Sequence, residues 1–413
     1  MSFLEKIISC KNDGVYRVIT IFGIRFKRKN ARREIMAELN SLRSRLDILD
    51  KNIKAIAKNN EKEIKTLTMS ANQKLDHLRK LVDGQGMKIS QFWETGYAPL
   101  KYYKNEFECG FLKPFFAYME RPDFAEKYLA LINGLSDRDV REINKILWRV
   151  NFIKTHPEQK LFNFYSPEEQ AKKIKIVTEL NNKIIAVSNN LYVYDQYKLP
   201  INHFETCVFL YRHGIDLVKD KAALRNKDFI DAGAYIGDSA LVLSEYTDKR
   251  IYSFEINPEN IKNLRQTIEL NNLTRVTVVE KALYDSEMEM ELNLHGSASS
   301  LDKLPGIAYE EKTVTVPTVT LDKFVRENNL RIGLIKTDLE GAELNFLKGA
   351  EQTIREQKPV LLLSVYHKPS DFFELKPLLE DWVPDYEFTV FNPVDDSIFT
   401  ETMIVAQSKE GID

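Results

Sequence analysis

Asp228-Phe-Ile-Asp-Ala-Gly-Ala-Tyr-Ile-Gly-Asp-Ser239 decides how the second half of the chain is read. An apolar strand runs into Asp231, Gly233 and Gly237 follow, and a helix begins. Glycine at 233 lets the backbone turn without a side chain at the carboxyl end of the strand, where doubly wound sheets bind ligands. A dinucleotide fingerprint needs Gly-x-Gly-x-x-Gly so that backbone amides reach a pyrophosphate. Here Tyr235 takes the place of the second glycine, which argues against a nicotinamide cofactor. Asp231 instead puts an anion at the strand end, suited to a positive ligand group such as the amino-acid end of S-adenosylmethionine.

From 228 onward strand and helix alternate, which implies a largely parallel sheet. Strands are expected at 228–231, 250–255, 276–280, 332–337, 359–366, 385–391 and 398–406, with helices between most of them. Residues 287–317 are too polar and alternating for a crossover helix and read as a β-excursion. The second strand ends in Ile251-Tyr-Ser-Phe-Glu255, and Pro258 opens the next helix. An acid at that strand end is placed to accept both ribose hydroxyls of a nucleoside. Lys281-Ala282-Leu283 follows the third strand, in the loop that usually flanks an adenine. Leu334-Ile-Lys-Thr-Asp-Leu-Glu-Gly-Ala-Glu343 delivers Lys336, Asp338 and Glu340 in alternation, and Gly341 turns the chain into a helix carrying Glu343. An acid that complements a helix dipole accounts for Glu343. It does not account for Asp338 and Glu340, which are therefore read as functional.

The stretch from about 228 to 406 resembles the FkbM-type methyltransferase family. The likeness is carried by Asp-Ala-Gly-Ala-x-Ile-Gly-Asp-Ser at 231–239, Phe254-Glu255, Ser299-Ser300-Leu301 and Thr320-Leu-Asp322. Its most specific carrier is Ile335-Lys-Thr-Asp-Leu-Glu-Gly-Ala-Glu343. Ser364-Val-Tyr-His367 and Glu401-Thr-Met-Ile-Val-Ala406 are similar too. Thr337 and Leu339 stand where that family commonly has Val, Ile or Met, variations on the apolar side of the strand. The resemblance covers under half of the 413 residues. It implies an α/β fold, a class I Rossmann-like doubly wound sheet, with S-adenosylmethionine as methyl donor and hydroxyl oxygens of sugars or natural products as acceptors.

Such chemistry needs the donor aligned for in-line displacement, a base within hydrogen-bond reach of the attacking hydroxyl, and exclusion of water. Catalysis is assigned to His367, Asp338 and Glu340, with His367 as the base because its ordinary pKa range suits the task, and Asp338 as runner-up. Donor contacts are assigned to Asp231, Gly233, Tyr235, Gly237, Asp238, Ser239, Glu255, Ile256, Lys281, Ala282 and Asp338. Asp338, Glu340 and His367 offer ligands for a magnesium ion, which favours carboxylates, but no resident metal is assigned.

The first half of the chain has a different texture. Val15-Tyr-Arg-Val-Ile-Thr-Ile-Phe-Gly-Ile-Arg-Phe-Lys27 alternates after a turn at Asn12-Asp13-Gly14, so residues 1–30 read as a short β-hairpin. Lys27, Arg28, Lys29, Arg32 and Arg33 gather at its end, either as a solvated patch or as an attraction to an anionic membrane surface. In 31–83, Ile35, Leu39, Leu42, Leu46, Leu49, Ile53 and Ile56 make the a/d seam of a coiled coil, which Ile64, Leu67, Ala71, Leu75, Leu78 and Val82 resume after a stutter. Homo-oligomerisation is the simplest way to bury that seam; folding back on the same chain is the alternative. Residues 84–205 read as mostly helical, with Ser136 capping one helix and Ser166-Pro-Glu-Glu opening another. Tyr102, Tyr103, Phe115, Phe116 and Tyr118 read as core in preference to a sugar-binding surface. The methyltransferase domain is expected over 206–413.

Composition narrows the partners. With 59 basic and 61 acidic side chains the formal charge is −2, against the basic excess of a nucleic-acid binder. The three cysteines, Cys10, Cys109 and Cys207, form no CxxC pair, which fits a reducing cytosol and neither a disulfide framework nor a zinc finger. No apolar run of about eighteen residues occurs and the opening lacks a secretory pattern, so a cytoplasmic protein is expected, peripheral at most to the inner face of the membrane. Residues 1–33 are weakly similar to the openings of proteins from bacterial surface-glycan clusters. The reading is an S-adenosylmethionine-dependent O-methyltransferase acting on a sugar hydroxyl of a capsule or lipopolysaccharide, or on a nucleotide-sugar precursor. The alternatives are another small molecule or natural product as acceptor, or a non-catalytic oligomerising scaffold. The Asn/Asp-Pro-Pro-Tyr run of amino-group methyltransferases is replaced here by Asp338-Leu-Glu-Gly341.

Overall fold

The computed structural model describes three strands within residues 8–29, then residues 105–156, 165–295, 299–301, 313–393 and 399–409. The chain divides into two compact units, Met1–Tyr97 and Ala98–Asp413. In the first, β1 (Ile8–Asp13), β2 (Tyr16–Ile21) and β3 (Ile24–Lys29) form an antiparallel meander. The expected hairpin gains a strand because the alternating run reverses between Ile21 and Ile24, which pair with each other. The coiled coil read over 31–83 lies outside the described residues.

The second unit opens with α1 (Asn105–Tyr118), α2 (Phe124–Ile132), α3 (Asp137–Thr155) and α4 (Pro167–Glu179). Their starts follow the capping signals in the sequence. The Ser136 hydroxyl accepts the Asp139 N–H at 3.2 Å. Ser166 and Glu169 form a reciprocal capping box, at 3.2 and 2.9 Å, with Pro167 in the first turn. Each arrangement satisfies amides that a helix start leaves without partners. The region read as mostly helical then adds a small antiparallel meander of β4 (Ile185–Ser188), β5 (Leu191–Tyr194) and β6 (Tyr197–Leu199). One helical turn, Thr206–Phe209, follows.

Next come β7 (Asp228–Ala232), α5 (Asp238–Leu243), β8 (Ile251–Phe254), α6 (Pro258–Leu270) and β9 (Val276–Val279). After β10 (Ala282–Leu283), the excursion expected over 287–317 supplies β11 (Glu289–Asn293) and β12 (Thr313–Val319), and the three form a separate sheet in the order β10-β12-β11. The chain continues through α7 (Leu321–Asn328), β13 (Ile332–Thr337), α8 (Glu343–Lys348), α9 (Glu351–Gln357) and β14 (Val360–Ser364). It closes with α10 (Pro369–Trp382), β15 (Tyr386–Phe391) and β16 (Met403–Ser408).

The main sheet has the order β15-β16-β14-β13-β7-β8-β9. All its pairings are parallel except those of β16, which runs antiparallel to both β14 and β15. Strands β13 and β14 are buried at every position, as continuous apolar runs covered on both faces must be. The helices before residue 205 share this core. Tyr118 stacks on Phe373 at 4.8 Å and Phe115 meets Phe399 edge-on at 4.4 Å, so Phe115 and Tyr118 are core residues. At the edge of the sheet, the Asp139 carboxylate accepts the Val390 N–H and Arg138 donates to the Val390 carbonyl, both at 3.0 Å. Helix α3 thereby covers an edge strand that would otherwise offer unpaired amides. Strand order reverses between β7 and β13, so their carboxyl ends splay apart and leave a crevice, the place where open α/β sheets take ligands.

Candidate active site

A cleft of about 1000 Å³, open solvent included, lies at that reversal. Its wall is built from the carboxyl ends of five strands: Gly233 and Tyr235 after β7, Glu255 and Ile256 after β8, Lys281 and Ala282 after β9, Asp338 and Glu340 after β13, and Tyr366 after β14. Asp238 and Ser239, in the first turn of α5, and Ser299, Ser300 and Leu301 complete much of the rest. Most residues assigned to the donor thus come together.

Gly233 sits at φ +79°, and a Cβ there would fall 2.0 Å from the Asp338 carbonyl oxygen. The two strand ends are also joined by the Asp338 N–H donating to the Ala232 carbonyl at 2.9 Å. Only glycine permits that approach. Glu255 accepts the Ile256 and Asn257 N–H groups at 2.7 and 2.8 Å, and burial nevertheless pushes its carboxyl up to about 7. Burial and the nearby Glu205 do the same to Asp238, also to about 7. Asn257 donates to Ser299 at 3.0 Å, tying the excursion to the donor side of the cleft.

Three assigned residues lie outside the cleft wall. Asp231 does not line the cleft. It is fully buried with Lys336, 3.5 Å away, and accepts from Ser253 at 3.1 Å. The Lys336 ammonium donates to the Gly233 carbonyl at 2.7 Å, and burial is outweighed by Asp231 and Asp338, which hold it charged. Asp231 therefore neutralises the lysine that braces the turn. Gly237 is likewise absent from the wall; at φ +86° it makes room for Leu264, which a Cβ would meet at 2.6 Å.

His367 is the third. Its side chain is 1% exposed, behind Asp338 and Glu340, and does not line the cleft. Nδ1 lies 2.8 Å from Glu343 Oε1, and Nε2 faces Asp338 Oδ1 at 3.4 Å and Glu340 Oε2 at 3.5 Å. Burial works to lower its pKa, but Glu343 and Glu340 prevail and raise it well above its ordinary value. Behind Asp338 and Glu340 the ring does not reach the cleft, so the structure gives it no direct contact with an acceptor there. Glu340, raised by burial, and Asp338, lowered because Lys336 and His367 outweigh burial, are the carboxyls that meet the cleft. Glu340 stands at φ +52°, a conformation costing a non-glycine residue about 1–3 kcal/mol and held here by its neighbours. Glu343, read as a helix-dipole acid, also accepts the Leu339 N–H at 2.9 Å.

The sequence reading missed Glu205 and His213. Burial pushes His213 down to about 3, so it is neutral, and its Nε2 lies 3.0 Å from Ser239 Oγ. Arg212, His213 and Gly214 all have positive φ, which turns the imidazole into the cleft. Gly214 is the only local hint of that bend.

Read as 1-2-3 for β7-β8-β9 and 4-5-6-7 for β13-β14-β15-β16, the sheet runs 6-7-5-4-1-2-3 with the seventh strand antiparallel. This sheet with its switch-point cleft is that of a class I methyltransferase. Residues 231–399 match the methyltransferase FkbM domain. It is 26% identical over 203 residues to Methyltransferase 1 of Beauveria bassiana (strain ARSEF 2860), a match covering 41% of this chain and 82% of the relative. Methyltransferase FkbM from Methylobacillus flagellatus KT aligns with 68% of this chain at 19% identity and a TM-score of 0.42. The chain spans 58% of the length of that structure. SMU.1697c of Streptococcus mutans, solved in complex with SAH, aligns with 47% of this chain and 96% of its own at 16% identity and a TM-score of 0.30.

Proposed function

We propose that this methyltransferase moves the methyl group of S-adenosylmethionine onto a hydroxyl oxygen of a sugar in a bacterial surface glycan. The observation that carries the reading is the charge of the cleft. Glu205, Asp238, Glu255, Asp338, Glu340 and Glu401 line it, against Lys281 and Lys336. The donor supplies an electrophilic methyl group on a positive sulfonium, and an anionic cleft favours its binding. Glu255 fits the ribose hydroxyls, Lys281 to Leu283 the adenine, and the Asp338 end the amino group. Glu340 lies where an acceptor hydroxyl would enter and takes its proton. The same acidic wall repels a diphosphate, which favours a neutral glycan sugar over a nucleotide-linked one.

The basic cluster at 27–33 would keep the enzyme near an anionic membrane face, and residues 31–83 would join copies of the chain. No described helix is long and apolar enough to cross a membrane. The test is deletion of the gene followed by proton NMR of the surface glycan. Loss of O-methyl signals, restored by the parental gene and not by an Asp338→Asn copy, supports the reading. An unchanged O-methyl pattern overturns it.

A further inference from the structure

We propose that Asp338 Oδ1, Glu340 Oε2 and His367 Nε2 hold a divalent first-row metal ion at the floor of the cleft. One ligand atom from each of the three residues lies within 4.8 Å of the other two. Two acids near a histidine would not suffice for this inference. What adds to them is the state of the imidazole. The His367 side chain is 1% exposed, and its Nε2 makes no hydrogen bond among the described residues, although it is aimed at two carboxylates.

The distances discriminate between a proton and a metal. Charge-assisted N–H···O bonds close to about 2.7–2.9 Å. The separations here are 3.4 Å to Asp338 and 3.5 Å to Glu340. Bonds of about 2.1 Å around one ion set neighbouring ligands about 3.0 Å apart in an octahedron and about 3.4 Å apart in a tetrahedron. Both histidine-to-carboxylate separations are those of ligands sharing an ion.

The other side of the ring agrees. Nδ1 donates to Glu343 Oε1 at 2.8 Å, which fixes the tautomer and leaves the Nε2 lone pair facing the two acids. With no metal there, a proton on Nε2 is the other way to relieve that encounter, and separations of 3.4 and 3.5 Å are long for the hydrogen bonds it would make. A carboxylate behind a histidine whose other nitrogen binds metal is the usual supporting arrangement. Glu343 is itself oriented by the Leu339 N–H at 2.9 Å. Imidazole with two carboxylates suits Mn²⁺, Fe²⁺, Co²⁺ or Zn²⁺ better than magnesium, which prefers all-oxygen shells.

Asp338 and Glu340 are 26% and 17% exposed, so the open coordination positions face the cleft. The ion's task there rests on the methyl-transfer reading, whereas its binding does not. A coordinated acceptor hydroxyl is acidified, and its proton passes to the second oxygen of Glu340. The alkoxide oxygen bonds to the methyl carbon, and the electrons of the broken carbon–sulfur bond remain on sulfur.

The test is titration of the EDTA-treated full chain with Co²⁺, followed by visible absorption. One ion per chain is expected, with d–d bands that His367→Gln abolishes and that Glu340→Gln weakens at least tenfold. Glu343→Gln, which spares the three ligands, should lower affinity about 10–100-fold. Circular dichroism checks the fold of each variant, and Glu340→Gln decides the matter should His367→Gln misfold. No saturable Co²⁺ or Mn²⁺ binding at millimolar metal, or bands that survive both ligand variants, overturns the inference. Donor titration on the same samples separates the two readings. Donor binding without metal sinks only the ion, and metal binding without donor sinks only the methyl-transfer assignment.

Discussion

Glu255→Gln should make the protein more stable and a worse binder of its donor. In the folded chain burial carries this carboxyl from 4.5 to about 7. At about 1.4 kcal/mol per tenfold change in proton affinity, ionising it in place costs about 3 kcal/mol. The sign follows from linkage. Below pH 4.5 the carboxyl is protonated in folded and unfolded chains alike, and nothing is lost. Between 4.5 and about 7 the unfolded chain releases a proton that the folded chain retains, so stability falls as pH rises. Above that window the full cost is present. Glutamine has no charge to desolvate, and its carbonyl oxygen still accepts the Ile256 and Asn257 N–H groups now at 2.7 and 2.8 Å. Urea unfolding should therefore show parent and variant alike near pH 4.5, with a gap that widens to about 3 kcal/mol by pH 8. Donor affinity should fall in calorimetry, because charge-assisted hydrogen bonds to the ribose, each worth about 1.5–3 kcal/mol, become neutral ones. A stability gap that stays constant from pH 5 to 8 would refute the reasoning about burial.

Asp231→Ala should destabilise by about 3–5 kcal/mol in the same assay, since it strands the buried Lys336 charge, and adding Lys336→Met should recover most of the loss; a small effect of the single change would show the pair unimportant. Glu340→Gln should leave donor affinity close to parental while turnover falls about 10²–10⁴-fold, and parental turnover would remove Glu340 from the chemistry. Deleting residues 31–83, or placing lysine at Leu46 and Leu49 together, should shift the mass in light scattering toward monomer. An unaltered mass would mean that the seam packs within its own chain.

The sheet was legible because each of its strands is a local pattern: an apolar run, a terminal acid or glycine, then a helix start. The reversal of strand order at β7 and β13 then placed the cleft, and Glu255, Asp338 and Glu340 lie at it for that reason. Local pattern fails at Asp231. That residue is the register partner of Lys336 on the neighbouring strand, a relation set across 105 positions of chain. The sequence did contain the clue, a lysine inside a strand buried at every position, since such a charge requires an anion beside it. His367 illustrates the same limit. Its assigned role rested on its place after β14, whereas its role in the structure is set by Glu343, an acid on α8 that local reasoning had explained as a dipole partner. Glu205 and His213 come from a segment without long elements, where no period betrays which way a side chain faces.

Asp231 and His367 have this in common: both are buried ionisable groups, and a buried charge is defined by what opposes it. Lys336 is opposed by Asp231, and His367 by Glu343, Asp338 and Glu340. Glu255 and Asp238 differ, because burial raises both to about 7 although backbone amides serve Glu255 and the His203 and Lys336 charges oppose Asp238 in part. Groups left in that state weaken the fold, and they persist where a ligand supplies the missing partner. By this argument the incompletely compensated acids, more than the well-paired ones, mark where the cationic donor binds. The donor should accordingly raise the melting temperature of the parent more than that of Glu255→Gln.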